Sequence, residues 1–288
     1  MNNIDKKRYI LTISCADQAG IVAAVSGFLA ENDGFIIESS QFGDFSTGKF
    51  FMRTDFETGD KMSGTAEITE KFTEIAEKFD MNFEVFNVEY KPRALIMVSK
   101  TSHCLNSILH RYSTGNLPIE IPAIASNHKD LEEMAKWHNI PFYHLPITPS
   151  TKAEQESALL KLVEELNIDV VVLARYMQIL SDNLCKKLKG KAINIHHSFL
   201  PSFKGANPYK QAFNRGVKII GATAHYVTGD LDEGPIIEQE VIRVDHTEKP
   251  DDLKLIGQDI ESRVLSHALK LHIEHRVLLN GNKTVVFK

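Results

Sequence analysis

The chain has 288 residues, of which 43% are hydrophobic and 25% charged, and its formal net charge is −5 at pH 7. These values are typical of a folded globular protein. They argue against a basic surface that binds nucleic acid or an anionic membrane. The three cysteines, Cys15, Cys104 and Cys185, form no C-x-x-C pair, which argues against disulfides and structural zinc. The N-terminal residues show no apolar signal core, and the longest apolar stretch, 168–174, is too short to span a bilayer. We therefore expect a cytoplasmic protein with no nucleic-acid or membrane partner.

Residues 8–90 predict an α/β unit with the order βαββαβ, the ferredoxin-like arrangement. Alternating patterns at 8–15, 35–42, 49–57 and 81–90 indicate strands, and apolar residues at helical spacing after residues 20 and 67 indicate two helices. Asp17 is placed to cap the first helix, and Gly34 to end it. Pro92 marks a linker, because the pattern changes after it. The sequence thus predicts a domain at 1–91 and a second domain at 92–288.

The second domain alternates strands with helices, which predicts a doubly wound, mainly parallel sheet. The strand segments are ALIMVS, IEIPAIAS, PFYHL, DVVVLA and AINIH. Two longer alternating strands follow, VKIIGATAHYVT and PIIEQEVIRV, and then a long helix from about Pro250 to Leu279. KTVVF is a candidate final strand.

Polar residues gather where two of these strands end. The strand period of two places Asn194 and His196 on one face of AINIH, and Pro201 and Gly205 then interrupt regular structure. In open α/β sheets, ligands bind beyond the carboxyl ends of strands. A second strand runs into an acidic, glycine-flanked loop at 224–237. These two segments are therefore the candidate site.

The motifs NIHHSFLPSFKG and TAHYVTGDLDEGPIIEQ resemble the catalytic pair of the formyltetrahydrofolate-dependent formyltransferase superfamily. The resemblance covers roughly 93–280. It implies catalytic roles for Asn194, His196 and Asp232. It also implies a pterin-binding set at Arg175, Tyr176, Met177, Gln178, Ile179, Leu180, His225, Thr228, Gly229 and Asp230. Asp230 competes with Asp232 on residue type alone, and only the resemblance selects Asp232.

These residue types suit formyl chemistry. Attack on a formamide carbon creates an oxyanion, for which the Asn194 amide and a protonated His196 are suitable donors. Asp232 is suited to move the proton between the attacking group and the departing folate nitrogen. The expected cofactor set is the folate substrate, 10-formyltetrahydrofolate, alone, without a metal.

The resemblance favours the deformylase branch, with water as the formyl acceptor and tetrahydrofolate and formate as products. Its formate would supply purine synthesis and balance the one-carbon pool. The rival is formyl transfer to glycinamide ribonucleotide, which needs a glycine-rich phosphate loop after the first strand. Here that stretch is SKTSHCL, without glycine. The methionyl-tRNA enzymes of the superfamily carry a further C-terminal domain and tRNA-binding charge, and we expect neither in this acidic chain. A catalytically silent folate or amino-acid sensor is the non-enzyme alternative.

Residues 8–90, with CADQAGIVAAVSGFL at the first turn, resemble an ACT domain, which implies regulation by an amino acid. Asp17, Gly20 and Ile21 are the candidate effector residues, although a plain helix start explains the first two equally well. ACT units often pair, so a homodimer or homotetramer is expected.

The remaining histidine groups predict no metal site. His196 and His197 are neighbours on a strand and are expected to point to opposite faces. His267, His272 and His275 are expected to lie on a solvated helix surface, because no H-E-x-x-H pattern accompanies them.

Overall fold

The chain divides into two compact units. The computed structural model describes residues 7–59, 61–200 and 208–288, and the side chain of Pro208 is not described. The first unit comprises Met1–Lys91, Glu274–Asn280 and Val285–Lys288, and the second comprises Pro92–Ile273 and Gly281–Thr284. Within the first unit, Arg276 donates to Glu38 and Asn280 donates to Asp44. These hydrogen bonds hold the C-terminal segment in the first unit.

The first unit has the predicted βαββαβ order. Its elements are β1 (Lys7–Ala16), α1 (Ile21–Glu31), β2 (Phe35–Asp44), β3 (Lys49–Thr58), α2 (Thr65–Lys78) and β4 (Asn82–Asn87). The strands form one antiparallel sheet in the order β2-β3-β1-β4. Leu11 and Ile13 of β1 are fully buried against Leu29 of α1 and Phe72 of α2. The inward-facing residues of β1 and the apolar faces of α1 and α2 thus pack together in one core.

The ends of α1 differ from the sequence prediction. Gly20, at φ 98, precedes the helix, and no side chain caps it. The prediction that Asp17 caps α1 was wrong, because the chain makes a further turn before the helix begins. At the other end Asp33 has φ 58, and the Gly34 N–H donates to the Leu29 carbonyl at 2.7 Å. The helix therefore ends in a Schellman motif whose left-handed residue is Asp33, one position before the predicted glycine.

The second unit confirms the alternation of strands and helices. Its elements are β5 (Arg93–Val98), α3 (His103–Ser113), β6 (Glu120–Ser126), α4 (Glu132–Trp137), β7 (Phe142–His144), α5 (Lys152–Glu165), β8 (Val170–Leu173), α6 (Asp182–Lys187), β9 (Ala192–His196), α7 (Pro208–Arg215), β10 (Ile219–Tyr226), β11 (Ile236–Arg243) and α8 (Pro250–Ile273). The seven strands form a sheet in the order β11-β10-β9-β8-β5-β6-β7. Strands β5 to β9 pair in parallel, and β10 and β11 pair antiparallel. From β5 the chain adds β6 and β7 on one side, and it then returns to add β8 on the other side of β5. The direction in which strands are added therefore reverses between β5 and β8, and in such sheets ligands bind at the carboxyl ends of the strands at this reversal.

Helix α8 ends at Ile273, six residues before the predicted end at Leu279. The prediction was wrong because apolar residues continue past the helix, whereas His275, at φ 52, turns the backbone out of it. Residues Val277–Asn280 instead form β12, which pairs with β13 (Lys283–Val286) in a separate two-stranded sheet. Within the described residues, no helix combines the length and the apolar character that crossing a membrane requires.

Candidate active site

A cavity of about 260 Å³ lies beyond the carboxyl ends of β8 and β9 in the second unit. This is the position at which open α/β sheets bind their ligands. Every residue predicted for catalysis or substrate binding lines it: Asn194, His196, Asp232, Arg175, Tyr176, Met177, Gln178, Ile179, Leu180, His225, Thr228, Gly229 and Asp230. Three separate segments of the sequence therefore converge on one cavity.

Strand register brings the polar groups of β9 and β10 together. Asn194 and His196 are two residues apart on β9, and His225 of β10 pairs directly with Asn194. The Asn194 Nδ2 atom lies 3.2 Å from His225 Nε2. His225 Nδ1 donates to the Tyr226 carbonyl at 2.9 Å, because a carbonyl oxygen only accepts. This bond fixes the ring so that its Nε2 atom faces the amide.

Asp232 joins the two histidines. Its Oδ2 lies 3.2 Å from His196 Nδ1, and its Oδ1 lies 3.7 Å from His225 Nε2. Burial raises the pKa of Asp232, but its contacts with both histidines outweigh this and hold the pKa well below its usual range. Asp232 is therefore a carboxylate at neutral pH. His196 Nε2 is buried and has no partner within the described ranges, which leaves it available to a substrate.

The backbone separates Asp232 from its rival Asp230. Asp232 has φ 58, and this left-handed conformation directs its carboxylate to His196. Asp230 is exposed on the same loop, and its carbonyl accepts from the Thr228 hydroxyl at 3.1 Å. The geometry therefore selects Asp232 as the partner of the histidines.

The segment after β8 forms another wall of the cavity. The Met177 N–H donates to the Ser99 hydroxyl at 3.0 Å, and the Tyr176 hydroxyl accepts from Gln155 at 2.9 Å. Leu180 packs into the core, whereas the Met177 side chain is 57% exposed. Leu180 therefore serves core packing, whereas Met177 is accessible from the cavity.

His197 is a residue of this site that the sequence reasoning missed. Its ring stacks on His196, with centroids 4.9 Å apart and an interplanar angle of 20°. The expectation that the two rings point to opposite faces was wrong, because β9 ends at His196 and the alternation stops there. His197 Nδ1 lies 2.7 Å from Arg175 Nη1. Burial, followed by the charges of Arg175 and His196, lowers the pKa of His197 to about 4.

Glu261 of α8 was also missed. Its side chain is 1% exposed, and its Oε1 accepts from the Tyr209 hydroxyl at 2.6 Å. Its Oε2 lies 2.7 Å from His103 Nε2 and 3.4 Å from Arg175 Nε. Burial raises the pKa of Glu261, but His103, Arg175 and Tyr209 together lower it. The sequence signal that could have identified Glu261 is its position among the apolar residues of α8, next to Ile260.

His103, Cys104 and Glu261 form a group whose potential ligand atoms lie within 4.8 Å of one another. Two features oppose a metal ion there. The Glu261 oxygens already bind His103 and Tyr209, and the Arg175 guanidinium lies 3.4 Å from the same carboxylate. A second cation would be repelled.

Several predicted residues lie elsewhere. Residues 201–207, which include Pro201 and Gly205 of the motif, are outside the described residues. In the first unit, Asp17 and Gly20 are exposed, whereas Ile21 is 2% exposed and packs in the core. An effector therefore has direct access to the first two residues but not to Ile21.

The three C-terminal histidines do not share one helix surface. His267 is half exposed and pairs with Glu238. His272 is partly buried, its Nδ1 lies 2.8 Å from the Tyr226 hydroxyl, and burial lowers its pKa to about 4. His275 lies beyond α8 and stacks on Phe86. The prediction of a solvated surface therefore fails for His272, whose imidazole faces the neighbouring sheet.

Known proteins match the chain over nearly its whole length. Residues 92–269 match the formyl transferase family model. The chain is 50% identical to a formyltetrahydrofolate deformylase of Corynebacterium sp. (strain P-1), covering 99% of both chains. The chain belongs to the formyltetrahydrofolate deformylase family. A crystal structure of a deformylase from Burkholderia mallei agrees, with a TM-score of 0.93, 48% identity, and coverage of 98% of this chain and 100% of that one.

A transferase matches only part of the chain. Glycinamide ribonucleotide transformylase 1 from Symbiobacterium toebii has a TM-score of 0.65 and 26% identity, and the match covers 97% of that chain but 70% of this one. Deformylase family members, in contrast, match both units. The formyltransferase-type fold predicted for the second unit is confirmed.

Proposed function

We propose that this protein hydrolyses 10-formyltetrahydrofolate to tetrahydrofolate and formate. The observation that carries the proposal is the cluster of Asn194, His196 and Asp232 at one end of the cavity. Membership of the deformylase family supports the same reaction. The wall at 175–180 and the loop at 228–232 leave room between them for a flat heterocycle such as the pterin.

The residues divide the chemistry between them. Water adds to the formyl carbon, and the resulting oxyanion accepts hydrogen bonds from Asn194 Nδ2 and from the Nε2–H of protonated His196. Asp232 accepts the Nδ1–H of His196 and so stabilises its positive charge. The carboxylate takes a proton from the water and delivers it to the folate nitrogen as the carbon–nitrogen bond breaks. Formic acid and tetrahydrofolate are the products, the acid loses its proton to solvent to become formate, and the side chains return to their starting protonation states.

The turn after β5 supports water over a phosphate-bearing acceptor. In the transferases this turn holds the ribonucleotide phosphate. Here His103 lies at the start of α3 and is bonded to the buried Glu261 carboxylate. The His103 side chain, held in this position, would crowd a phosphate that approaches the turn closely.

The test is formate release from 10-formyltetrahydrofolate without an amine acceptor. Hydrolysis predicts formate and tetrahydrofolate in equal amounts. Adding glycinamide ribonucleotide should leave the rate unchanged. A requirement for glycinamide ribonucleotide would replace the proposal with the transferase reading, and folate binding without turnover would replace it with the silent sensor.

We further propose that hydrolysis needs no metal or other cofactor, because Asn194, His196 and Asp232 supply both donors and base. Dialysis against a chelator should leave formate release unchanged. A loss that Zn²⁺ or Mg²⁺ restores would contradict this.

The domain roles extend the proposal. Residues 1–91 are proposed as an ACT-like regulatory domain and 92–288 as the catalytic domain, in a homodimer or homotetramer of the cytoplasm that supplies formate for purine synthesis. The exposed turn at Asp17 and Gly20 supports an amino-acid effector there, and apolar side chains on the edge strand β2, Ile37 and Phe42, support self-association. Calorimetric titration with glycine and methionine tests the effector, and light scattering tests the assembly.

A further inference from the structure

Arg175 determines the hydrogen position on His197. An arginine side chain has five N–H donors and no acceptor, so His197 Nδ1 accepts from Nη1 across their 2.7 Å contact. The ring then carries its one hydrogen on Nε2. We propose that His197 is a positioning residue, locked neutral by Arg175 so that the positive charge of the histidine pair resides on His196. This inference rests on the proposed hydrolysis and deepens it.

The charges around His197 support this assignment. Arg175 comes from the end of β8, His196 from β9, Asp232 from the loop after β10 and Glu261 from α8. Glu261 lies 3.4 Å from Arg175 Nε, and Asp232 lies 3.2 Å from His196 Nδ1. Arg175 and His196 thus each contact a carboxylate of their own.

Neutral His197 has a direct consequence for its neighbour. The two rings stack at 4.9 Å, so a charge on His197 would oppose a charge on His196. Oxyanion stabilisation needs that charge on His196. Once its Nδ1 lone pair is occupied by Arg175, His197 resists protonation, and burial adds to this resistance.

Tyr209 and His103 complete the support of Arg175. Both side chains bond to Glu261, which holds the carboxylate in place beside the guanidinium. Gly257 is required for this arrangement, because a Cβ there would lie 2.0 Å from the Tyr209 hydroxyl. The support therefore spans α3, α7 and α8.

The direct test is ¹⁵N NMR of the histidine rings in the full-length protein between pH 5 and 8. We expect His197, assigned by comparison with His197→Gln, to remain neutral with its hydrogen on Nε2. In Arg175→Met its titration should move up from about pH 4, while burial still keeps it below the ordinary histidine value of about 6.5. Arg175→Lys keeps a donor and should retain neutral His197. An Nδ1–H ring, or titration near pH 6.5 in the unaltered protein, would overturn the proposal without any variant.

The kinetic test is the pH profile of formate release. As the pH falls, Arg175→Met should lose turnover at a higher pH than the unaltered protein, because His197 takes up a proton more readily without Arg175. The double variant Arg175→Met/His197→Gln should lack this added loss, because glutamine takes up no proton. A profile identical in the single and double variants would overturn the proposal.

The two proposals fail separately. If the protein releases no formate, the proposed function fails, but the NMR experiment still decides the state of His197. If formate is released and His197 titrates freely, only the positioning role is lost. Circular dichroism of each variant confirms that the fold is intact before either measurement.

Discussion

At the scale of single residues, the cavity combines unusual backbone conformation with paired charge. Asp232 occupies the left-handed region and contacts two histidines, so its position depends on both its backbone and its charge. Aspartate and asparagine tolerate positive φ better than most residues. An asparagine substitution therefore separates the charge of Asp232 from its conformation.

Asp232→Asn should lower kcat for formate release by about 10²–10⁴-fold, because the amide accepts no proton from water and leaves protonated His196 without its counter-charge. Glu233→Gln is the matched control on the same loop and should change kcat little, since Glu233 is exposed and is not among the residues that line the cavity. Steady-state assays of both variants make the comparison. Equal losses would mean that the loop, and not the Asp232 carboxylate, matters.

Gly257 gives a second prediction for a single residue. In Gly257→Ala the added Cβ displaces Tyr209 and breaks its hydrogen bond to Glu261, so the variant should be less stable by about 1–3 kcal/mol. Gly27→Ala, in α1 with no atom within 4 Å, should gain about 0.5–1 kcal/mol. Urea denaturation measures both. Equal stabilisation would contradict the close packing of Tyr209.

At the scale of elements, four helices end on an aspartate or asparagine in place of glycine. Asp33, Asp80, Asn139 and Asn167 each have positive φ two residues after a helix. After α5, the Ile168 N–H donates to the Val163 carbonyl and the Asn167 N–H to Glu164, the two bonds of a Schellman motif. The same motif explains why α1 ends before Gly34.

Asn167 is exposed and allows a clean test of this ending. Asn167→Ala should cost about 1 kcal/mol, because alanine is strained at φ 47, whereas Asn167→Gly should be as stable as the parent or more so. Thermal unfolding of the three proteins measures the order. An alanine variant as stable as the glycine variant would contradict the argument.

Sequence reasoning succeeded where one short segment carries the signal. The apolar run DVVVLA predicted the buried strand β8, and period-two spacing placed Asn194 and His196 on one face. It failed where the backbone conformation ends an element, as at His275 after α8 and at the end of β9 before His197. It missed Glu261 because the partners Arg175 and Tyr209 lie 86 and 52 positions away, and no local pattern links them.

At the scale of the whole molecule, each unit encloses its own charged cluster. In the first unit, Arg53 is 2% exposed and lies near Asp55 and Glu38. In the second, Glu261 lies beside Arg175, and two partly buried histidines, His197 and His272, have lowered pKa values and stay neutral at pH 7. These neutral histidines link stability to pH.

Both histidines have pKa values lowered to about 4, so the unfolded chain binds their protons first as the pH falls. Stability is complete above about pH 6.5 and is lost towards pH 4. Between pH 7 and 5 each histidine should cost about 2 kcal/mol of unfolding free energy. Urea titrations at several pH values measure the slope.

His272→Gln should remove about half of this pH-dependent loss, because glutamine does not titrate. Tyr226→Phe is the control, since it removes the hydroxyl at 2.8 Å but keeps the partly buried histidine, and the slope should persist. An unchanged slope in His272→Gln would assign the effect to other groups.

Five of the seven non-glycine residues with positive φ in the described chain follow a helix, whereas Arg175 and Asp232 line the cavity. Glycine would relieve about 1–2 kcal/mol of backbone strain at either position but would remove a guanidinium or a carboxylate. A glycine at either position would therefore favour thermal stability but reduce turnover. Directed evolution for thermostability should protect both codons from mutation and seek its gains elsewhere in the chain.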